Sequence, residues 1–393
     1  MNRRLVVAIV FVALTTNACA PAERRAVPRP APRRPASPVT NIHHAATVSW
    51  STATDGAPVA IAADRRGEVV TIDHERVGAV DQNGRVLWSA ELDDVVGAVP
   101  VLMGDRVIVP FSRTNGSGGC AGLDRATGAM RWRYEAINTG GVAVARAGAL
   151  VLCLLRNGQT AGMTPSWGSP RWEFTFQGDV DSSIIEVPAG TAMAVDEPTG
   201  IFAFVARLGA QWQLTTRSGE TGQTQASLDL GAAGSPSAPA LVAPGFIGVA
   251  SGAGELELVR LRTRELMRFP IPVADGFDPA TPPLRVEGVV IVAGRAGEVI
   301  AFDLGSDRPR WTAQAVGPFR AAHPVVVGNA VMLQTWTGEL VAFGLADGAS
   351  IRIPPDPGRA VAMLMYAGPG VVYAVGQDGD AGWIERWEPK LGS

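Results

Sequence analysis

The feature that most constrains this chain is a repeat of about 40 residues whose clearest copies end on tryptophan. Tryptophan ends the repeat at five positions, which are Trp50, Trp88, Trp132, Trp172 and Trp311. In the copy that ends at Trp132, an apolar run up to Asp124 leads into the turn Ala126-Thr127-Gly128. Asp and Gly in such a turn favour a hairpin. Because each repeat can bury its apolar face only against its neighbours, we expect one large domain.

The composition agrees with many short strands joined by turns. Apolar residues make up 47% of the chain and charged residues 18%, with 46 Gly and 29 Pro. The formal net charge of -3 predicts no nucleic-acid partner.

Each copy contains four apolar runs, which predicts one four-stranded blade of a β-propeller. In the first copy the runs are residues 59–62, 69–72, 77–80 and 86–88. The repeat length matches the blade periods of propellers better than those of helical or leucine-rich repeats. The copies that end at Trp172, Ala226, Phe269 and Arg352 are more degenerate, and the one that ends at Ala226 requires an insertion.

The two ends of the repeat region complement each other. Three apolar runs follow Arg352, at residues 361–364, 371–375 and 382–387, but no fourth run follows them. At the other end, residues 46–50 form an isolated apolar run that ends at Trp50 and is not preceded by the other three runs of a repeat. We therefore predict an all-β, eight-bladed β-propeller of antiparallel blades over residues 42–393, closed by the N-terminal strand joining the last blade. A seven-bladed ring with one run misassigned is the alternative.

Residues 1–19 are typical of a lipoprotein signal peptide. Arg3 and Arg4 precede an apolar run, residues 5–14, that is too short to span a bilayer as a helix. Cys19 follows Ala18 at the place where such a signal is cut, so we predict lipidation of Cys19 and an exported, membrane-anchored protein facing the periplasm or the cell exterior. Soluble export is the alternative, although Pro21 lies where an ordinary signal peptidase would cut poorly.

Residues 20–41 are rich in Pro and Arg and cannot fold alone. The prolines favour an extended, semi-rigid spacer, and the arginines can lie against anionic lipid. We expect a disordered tether that holds the propeller away from a membrane. An unstructured leader without lipid contact is the alternative.

The aromatic repeat ends have two interpretations, as packing residues between blades or as faces offered to a ligand. Repetition at the same place in each blade favours packing. The structural positions predicted in this way are Trp50, Trp88, Trp132, Trp172, Phe269 and Trp311. Two loops are candidates for docking a partner because they are long or aromatic, Gly116-Ser117-Gly118-Gly119 and Ser166-Trp167-Gly168, although ordinary loop variation explains them equally well.

The sequence offers little for catalysis. The chain has four histidines, His43, His44, His74 and His323, and we expect no multi-histidine metal site, although the His43-His44 pair could bind a metal weakly. No Gly-x-Ser-x-Gly elbow occurs. We therefore predict no catalytic, cofactor-binding or metal-binding residues. Cys120 and Cys153 fall in neighbouring repeats and could be bridged, but their spacing does not demand it.

The repeat with Asp124, Thr127-Gly128 and Trp132 resembles the blade motif of quinoprotein-type, PQQ-like eight-bladed propellers. The resemblance covers nearly all of residues 42–390. This family includes pyrroloquinoline-quinone dehydrogenases and the non-enzymatic lipoprotein propeller of the outer-membrane β-barrel assembly machinery. For a dehydrogenase, the resemblance implies a disulfide between adjacent cysteines, a catalytic Asp and a calcium ion held by carboxylate and amide side chains. The chain has no adjacent cysteine pair, and its acidic residues lie mostly in turns.

We therefore expect a non-catalytic envelope scaffold, without a cofactor, formed by a monomeric propeller that binds a protein partner. The resemblance makes a β-barrel assembly factor the candidate partner and a lipid anchor the membrane contact. The first alternative is an envelope propeller that binds a ligand or polysaccharide. A PQQ-dependent dehydrogenase is the less favoured alternative.

Overall fold

Strands and turns account for the regular structure of the residues that can be described. The computed structural model describes residues 37–38, 46–54, 58–64, 66–73, 75–92, 98–175, 185–187, 193–232, 234–271, 277, 281–303, 306, 308–319, 324–353, 359–368, 371–378 and 381–389. These residues belong to the unit Pro35–Ser393. Among them, no helix is long and apolar enough to cross a membrane. The predicted signal peptide with Cys19, the tether apart from Ser37–Pro38, and all four histidines lie outside the described residues.

The strands are numbered in chain order. The first part of the chain contains β1 Ser37–Pro38, β2 Ala46–Thr54, β3 Ala60–Ala63, β4 Val69–Ile72, β5 Arg76–Val80, β6 Val86–Glu91, β7 Val101–Met103, β8 Arg106–Ser112, β9 Gly118–Asp124, β10 Met130–Ala136, β11 Gly141–Ala147, β12 Leu150–Leu155, β13 Thr160–Met163, β14 Pro170–Phe174, β15 Ile185–Glu186, β16 Ala194–Asp196, β17 Ile201–Leu208, β18 Gln211–Ser218 and β19 Thr224–Gly231.

The second part contains β20 Ala240–Ala243, β21 Phe246–Ser251, β22 Glu255–Arg260, β23 Glu265–Pro270, β24 Leu284–Val286, β25 Val289–Ala293, β26 Glu298–Asp303, β27 Pro309–Gln314, β28 Val325–Val327, β29 Ala330–Gln334, β30 Leu340–Gly344, β31 Ser350–Ile353, β32 Arg359–Gly368, β33 Val371–Asp378 and β34 Ala381–Pro389.

These strands form eight sheets, which are the blades of a β-propeller, and all pairings within them are antiparallel except that of the short strand β1. Blades 1, 2 and 3 are β3–β6, β7–β10 and β11–β14, and blades 5, 6 and 7 are β20–β23, β24–β27 and β28–β31. Blade 4 contains β17, β18 and β19, with both β15 and β16 paired to β17. The extra strand is the insertion that the long fourth repeat requires. The predicted all-β, eight-bladed propeller is confirmed.

The ring closes through the first long strand of the chain. Strand β2 pairs with β34, from Ala46 opposite Pro389 to Thr54 opposite Gly382, and completes blade 8 as its fourth strand. This pairing confirms the predicted closure and excludes the seven-bladed alternative. Backbone hydrogen bonds between the two ends of the domain leave no open blade at the seam.

Two residues of the Pro- and Arg-rich segment also pair with the ring. Strand β1 lies parallel to β31, with Ser37 opposite Ile351 and Pro38 opposite Arg352. It adds a fifth strand to the outer edge of blade 7.

The core lies between blades, because alternate residues of a middle strand face opposite neighbours. In blade 5, Leu256 and Leu258 pack with Val290 of blade 6. Val259, on the other side of the same strand, packs with Val205 of blade 4. Middle strands are therefore buried on both sides, which explains their continuous apolar runs.

The alternation of strand direction also defines two faces of the ring. Connections between the first and second strands and between the third and fourth strands leave one end of each antiparallel blade, and we call this end the turn face. Connections between the second and third strands, and from each blade to the next, leave the other end, which we call the crossover face.

Candidate functional site

The repeat-end tryptophans join consecutive blades. Each lies in the fourth strand of its blade, and its indole N–H donates a hydrogen bond to a carbonyl in the turn between the third and fourth strands of the next blade. The five bonds run from Trp50 to Gln82 O (2.9 Å), from Trp88 to Arg125 O (2.7 Å), from Trp132 to Pro165 O (2.7 Å), from Trp172 to Gly219 O (3.0 Å) and from Trp311 to Leu345 O (3.0 Å).

Each indole ring also covers a glycine of the same turn. A Cβ atom on Gly168 would lie 2.4 Å from the Trp132 ring, and one on Gly128 would lie 2.6 Å from the Trp88 ring. Both glycines have positive φ, +65° and +73°, which other residues rarely adopt. The glycine of one repeat therefore receives the tryptophan of the preceding repeat. Because packing occupies these rings, they do not form an aromatic binding array.

The degenerate repeat ends pack differently. Phe269 is half-buried against the apolar cluster between blades 5 and 6. Ala226, at the end of the fourth repeat, lies in β19 opposite Thr216 and has no ring to offer blade 5. Arg352 pairs with Glu339 of its own blade, through Nε–Oε1 and Nη2–Oε2 bonds of 2.6 and 2.9 Å.

One exposed tryptophan stands on a turn that this packing holds in place. Trp167 lies in the turn between β13 and β14 of blade 3 and is 79% exposed. The turn is fixed by the bond from Trp132 to Pro165 O and by a 2.9 Å bond from Gly168 N to Thr164 O. The structure thus presents Trp167 to solvent on a turn that these two hydrogen bonds hold in place.

Trp167 replaces a residue type that the other turns keep. In the five turns that a tryptophan covers, the residue before the glycine is Asn83, Thr127, Trp167, Thr221 or Asp347. Asn, Asp and Thr suit turns because their side chains bond the local backbone. The large exposed indole of Trp167 departs from this preference.

Three further exposed apolar residues lie near the turn face on the outer strands of the two preceding blades. Val86 and Leu87 begin β6 of blade 1, and Met130 begins β10 of blade 2. We call Val86, Leu87, Met130 and Trp167 the rim patch.

Charges beside the rim patch are largely paired. Arg131 Nη2 lies 2.8 Å from Asp124 Oδ2, and hydrogen bonds from Arg131 and Thr127 hold the pKa of Asp124 below its ordinary value. Arg106 lies 2.7 Å from Asp105 and also donates a long, 3.5 Å bond to Ser166 O. The indole of Trp167 is therefore the prominent feature of this surface.

The other candidate loop, Gly116-Ser117-Gly118-Gly119, lies on the crossover face. The residues that join β8 to β9 include Gly116 and Ser117, and this connection belongs to the crossover face. Two other connections on the crossover face expose Ile137 and Trp336. The structure therefore does not bring the two candidate loops together.

Cys120 and Cys153 form a disulfide, which the sequence left open. Cys120 lies in β9 of blade 2 and Cys153 in β12 of blade 3, with Cα atoms 6.2 Å apart. Both residues are fully buried. The bond therefore ties the two blades covalently, as in proteins of oxidising compartments.

The described residues do not fit a quinone with a calcium ion. The disulfide joins cysteines 33 residues apart and is enclosed between blades, so it offers no face to a planar ring. Among the residues that the structure describes, no group of three His, Cys, Asp or Glu side chains is placed to hold a metal.

Comparison with known proteins links the chain to one family. A family model described as outer membrane protein assembly factor BamB matches residues 73–267 and 272–351, which is more than half of the chain. No curated protein gives a significant match.

Solved structures share the fold at low sequence identity. BamB from Moraxella catarrhalis is 17% identical, with a TM-score of 0.64 over 88% of this chain and 99% of that chain. The computationally designed protein Ika8 is 16% identical, with a TM-score of 0.65 over 86% of this chain and 98% of that chain. A europium-containing methanol dehydrogenase is 12% identical, with a TM-score of 0.63 over 87% of this chain and 93% of that chain. These similarities show the fold alone.

Proposed function

Because the chain belongs to the family described as outer membrane protein assembly factor BamB, we propose that it is a non-catalytic scaffold of the cell envelope that assists outer-membrane protein assembly. In this proposal the propeller is an exported lipoprotein, anchored through Cys19 and held on its Pro- and Arg-rich tether. Its partner is a protein that docks on the rim patch.

The observation that carries the docking site is the exposure of Trp167 on a fixed turn. Tryptophan is enriched among the residues that dominate binding energy at protein interfaces. The four residues of the rim patch are exposed and apolar, which suits a protein surface better than a polar small substrate. The buried disulfide between blades 2 and 3 is consistent with export.

Site-specific photo-crosslinking in intact cells tests the proposal. A photo-reactive residue at position 167 is expected to capture a β-barrel assembly factor, identified by mass spectrometry. The same residue at position 336, an exposed tryptophan on the crossover face, is the matched control and is expected to capture less of it. Capture from position 336 alone contradicts the rim patch as the docking site. Recovery of glycan without protein contradicts the scaffold role and favours a polysaccharide-binding propeller.

The Trp167→Thr variant tests the same site without changing the fold, because threonine occupies the equivalent position at Thr127 and Thr221. We expect loss of partner recovery in a membrane pull-down.

Radioactive fatty-acid labelling of the chain is expected to stop in a Cys19→Ala variant, and labelling that persists contradicts the anchor.

A further inference from the structure

We propose that a pocket at the seam between blades 8 and 1 binds a compact anion, a carboxylate or phosphate group on a small molecule or chain end. We call it the seam pocket. It opens on the turn face and has a volume of about 430 Å³. Its polar side chains come from Asp64, Arg66, Gln82, Asn83, Tyr373 and Arg386. This volume lies in the lower part of the range of small-molecule sites, about 300–1,000 Å³.

The single carboxylate of the seam pocket is already occupied by the protein. Asp64 Oδ1 accepts bonds from the backbone N–H groups of Arg66 (2.8 Å) and Glu68 (3.0 Å), and Oδ2 accepts a bond from Arg125 of blade 2. Burial raises the pKa of Asp64, but the bonds from Arg125 and the backbone outweigh it and hold the pKa below its ordinary value. Asp64 therefore stays ionised and has little capacity left to bind a cation.

The two arginines supply positive charge that the protein uses less fully. Within the described part of the chain, no carboxylate forms an ion pair with Arg66, which is exposed. Arg386 Nη1 lies 3.5 Å from Glu388 Oε1, which already accepts a 2.8 Å bond from the Ser49 hydroxyl. Arg66, and Arg386 beyond its single 3.5 Å contact with Glu388, can therefore bind a carboxylate or phosphate ligand, which a guanidinium group holds in a bidentate manner.

The hydroxyl of Tyr373 independently supports an anion site in the seam pocket. It is only 2% exposed, yet its hydroxyl donates just one long contact, 3.5 Å to Gly67 O. Because the 3.5 Å contact is at the limit of a hydrogen bond, the hydroxyl can donate instead to an acceptor bound in the pocket. Burial raises the pKa of Tyr373, which keeps the hydroxyl protonated as a donor. The Trp50 ring, 5.9 Å from the tyrosine ring between centroids, fixes its position.

The donors in the seam pocket outnumber its free acceptors. Arg66, Arg386 and Tyr373 donate, and the amides of Gln82 and Asn83 at the rim can donate or accept. An anionic head group satisfies this set, whereas a cation would meet two guanidinium groups. The seam pocket and the rim patch share no residue, and anion binding tests the pocket without testing the protein partner proposed for the rim patch.

Isothermal titration of the full chain in detergent, at physiological salt, tests the proposal. The probes are inorganic phosphate, N-acetyl-dialanine with a free carboxylate, and the amide of the same peptide. Saturable binding of the free peptide but not of its amide supports the site and identifies a carboxylate ligand. Saturable binding of phosphate alone supports it and identifies a phosphate ligand. If neither anion binds, the proposal is wrong.

Three variants locate the binding. Arg66→Gln and Tyr373→Phe are each expected to weaken binding about tenfold, because each removes a donor to a charged group. Arg85→Gln is the matched control, since Arg85 is an exposed arginine just after the Gln82-Asn83 turn that does not line the pocket. We expect its affinity to equal that of the wild type. An equal loss in Arg85→Gln and Arg66→Gln would show general electrostatic attraction and overturn the proposal, provided that thermal melting shows all three variants folded.

Discussion

Two interfaces of the ring hold neighbouring blades together by different means. Between blades 2 and 3, Trp132 covers Gly168 and the disulfide joins Cys120 to Cys153. Between blades 4 and 5, Ala226 stands where a tryptophan would lie, and an apolar cluster that includes Val205, Leu214 and Val249 fills the interface. This second interface also buries a carboxylate, Glu257, which is 2% exposed. The aromatic and the disulfide therefore reinforce a blade contact that apolar packing alone can also maintain.

The burial of Glu257 follows from the strand alternation. Its neighbours Leu256 and Leu258 face blade 6, so Glu257 faces blade 4. Arg268 Nε lies 3.5 Å from its Oε1, while Glu255 and Asp229 add negative charge nearby. Burial raises the pKa of Glu257, with Arg268 opposing and the two acids assisting this shift.

The largest expected effect comes from removing the aromatic at the reinforced interface. Trp132→Ala leaves a cavity above Gly168 and removes the bond to Pro165 O, so we expect the free energy of unfolding to fall by about 4 kcal/mol. Guanidinium chloride denaturation of the full chain measures it. A loss below about 1 kcal/mol would mean that the tryptophans do not hold the blades together.

The disulfide gives the next largest effect. Replacing Cys120 and Cys153 by alanine releases a loop of 33 residues in the unfolded chain, and we expect a loss of about 3 kcal/mol. Adding a reductant to the wild type is expected to lower the denaturation midpoint similarly, with no effect on the double variant. A wild type that is insensitive to reductant under denaturing conditions would contradict this contribution.

A smaller, pH-dependent effect distinguishes the second interface. A carboxyl group whose pKa is raised on folding contributes stability that is present below its unfolded pKa, near 4.5, and is lost as the pH rises through the folded pKa. Glu257→Gln cannot ionise, so we expect the variant to gain stability relative to the wild type as the pH rises above 4.5. Denaturation midpoints from pH 4 to pH 8 measure this trend. A constant difference across that range would rule out an ionisation at this interface.

The smallest effect on stability is expected for the exposed indole of the same turn that Trp132 supports. Trp167→Thr changes only a surface residue, so we expect the free energy of unfolding to stay within about 0.5 kcal/mol of the wild type. Thermal and chemical denaturation, run beside Trp132→Ala, check this contrast. A large loss of stability would assign Trp167 to packing and remove the support for docking.

The sequence allowed the blades to be predicted because their signals are local. Apolar runs, Asp-Gly turns and a terminal Trp occur within a few residues of one another, and the isolated strand at Trp50 required a partner elsewhere in the ring. The closure by β2 could therefore be predicted by counting the apolar runs at the two ends of the repeat region.

Other features depend on how the ring brings distant residues together. The spacing of Cys120 and Cys153 does not reveal that their strands face each other across two blades. The seam pocket joins Tyr373 to residues about 300 positions earlier in the chain, such as Gly67. Trp167 could be noticed in the sequence, but its exposure follows only from the packing of Trp132 beneath its turn. One sequence signal could have singled out Trp167: the other tryptophan-covered turns have Asn, Thr or Asp at the position before the glycine.

The closure by β2 also orders the assembly of the domain in time. Residues 46–54 are synthesised early, yet their partner strand is Ala381–Pro389, more than 300 residues later in the chain. Loop closure over such a separation is slow, so the backbone groups of β2 stay unpaired until β34 has been synthesised and can pair with them. A chain truncated before β34 would leave β2 and β33 with open edges, which are prone to aggregation and proteolysis. The ring therefore closes only in a chain that has been synthesised through β34.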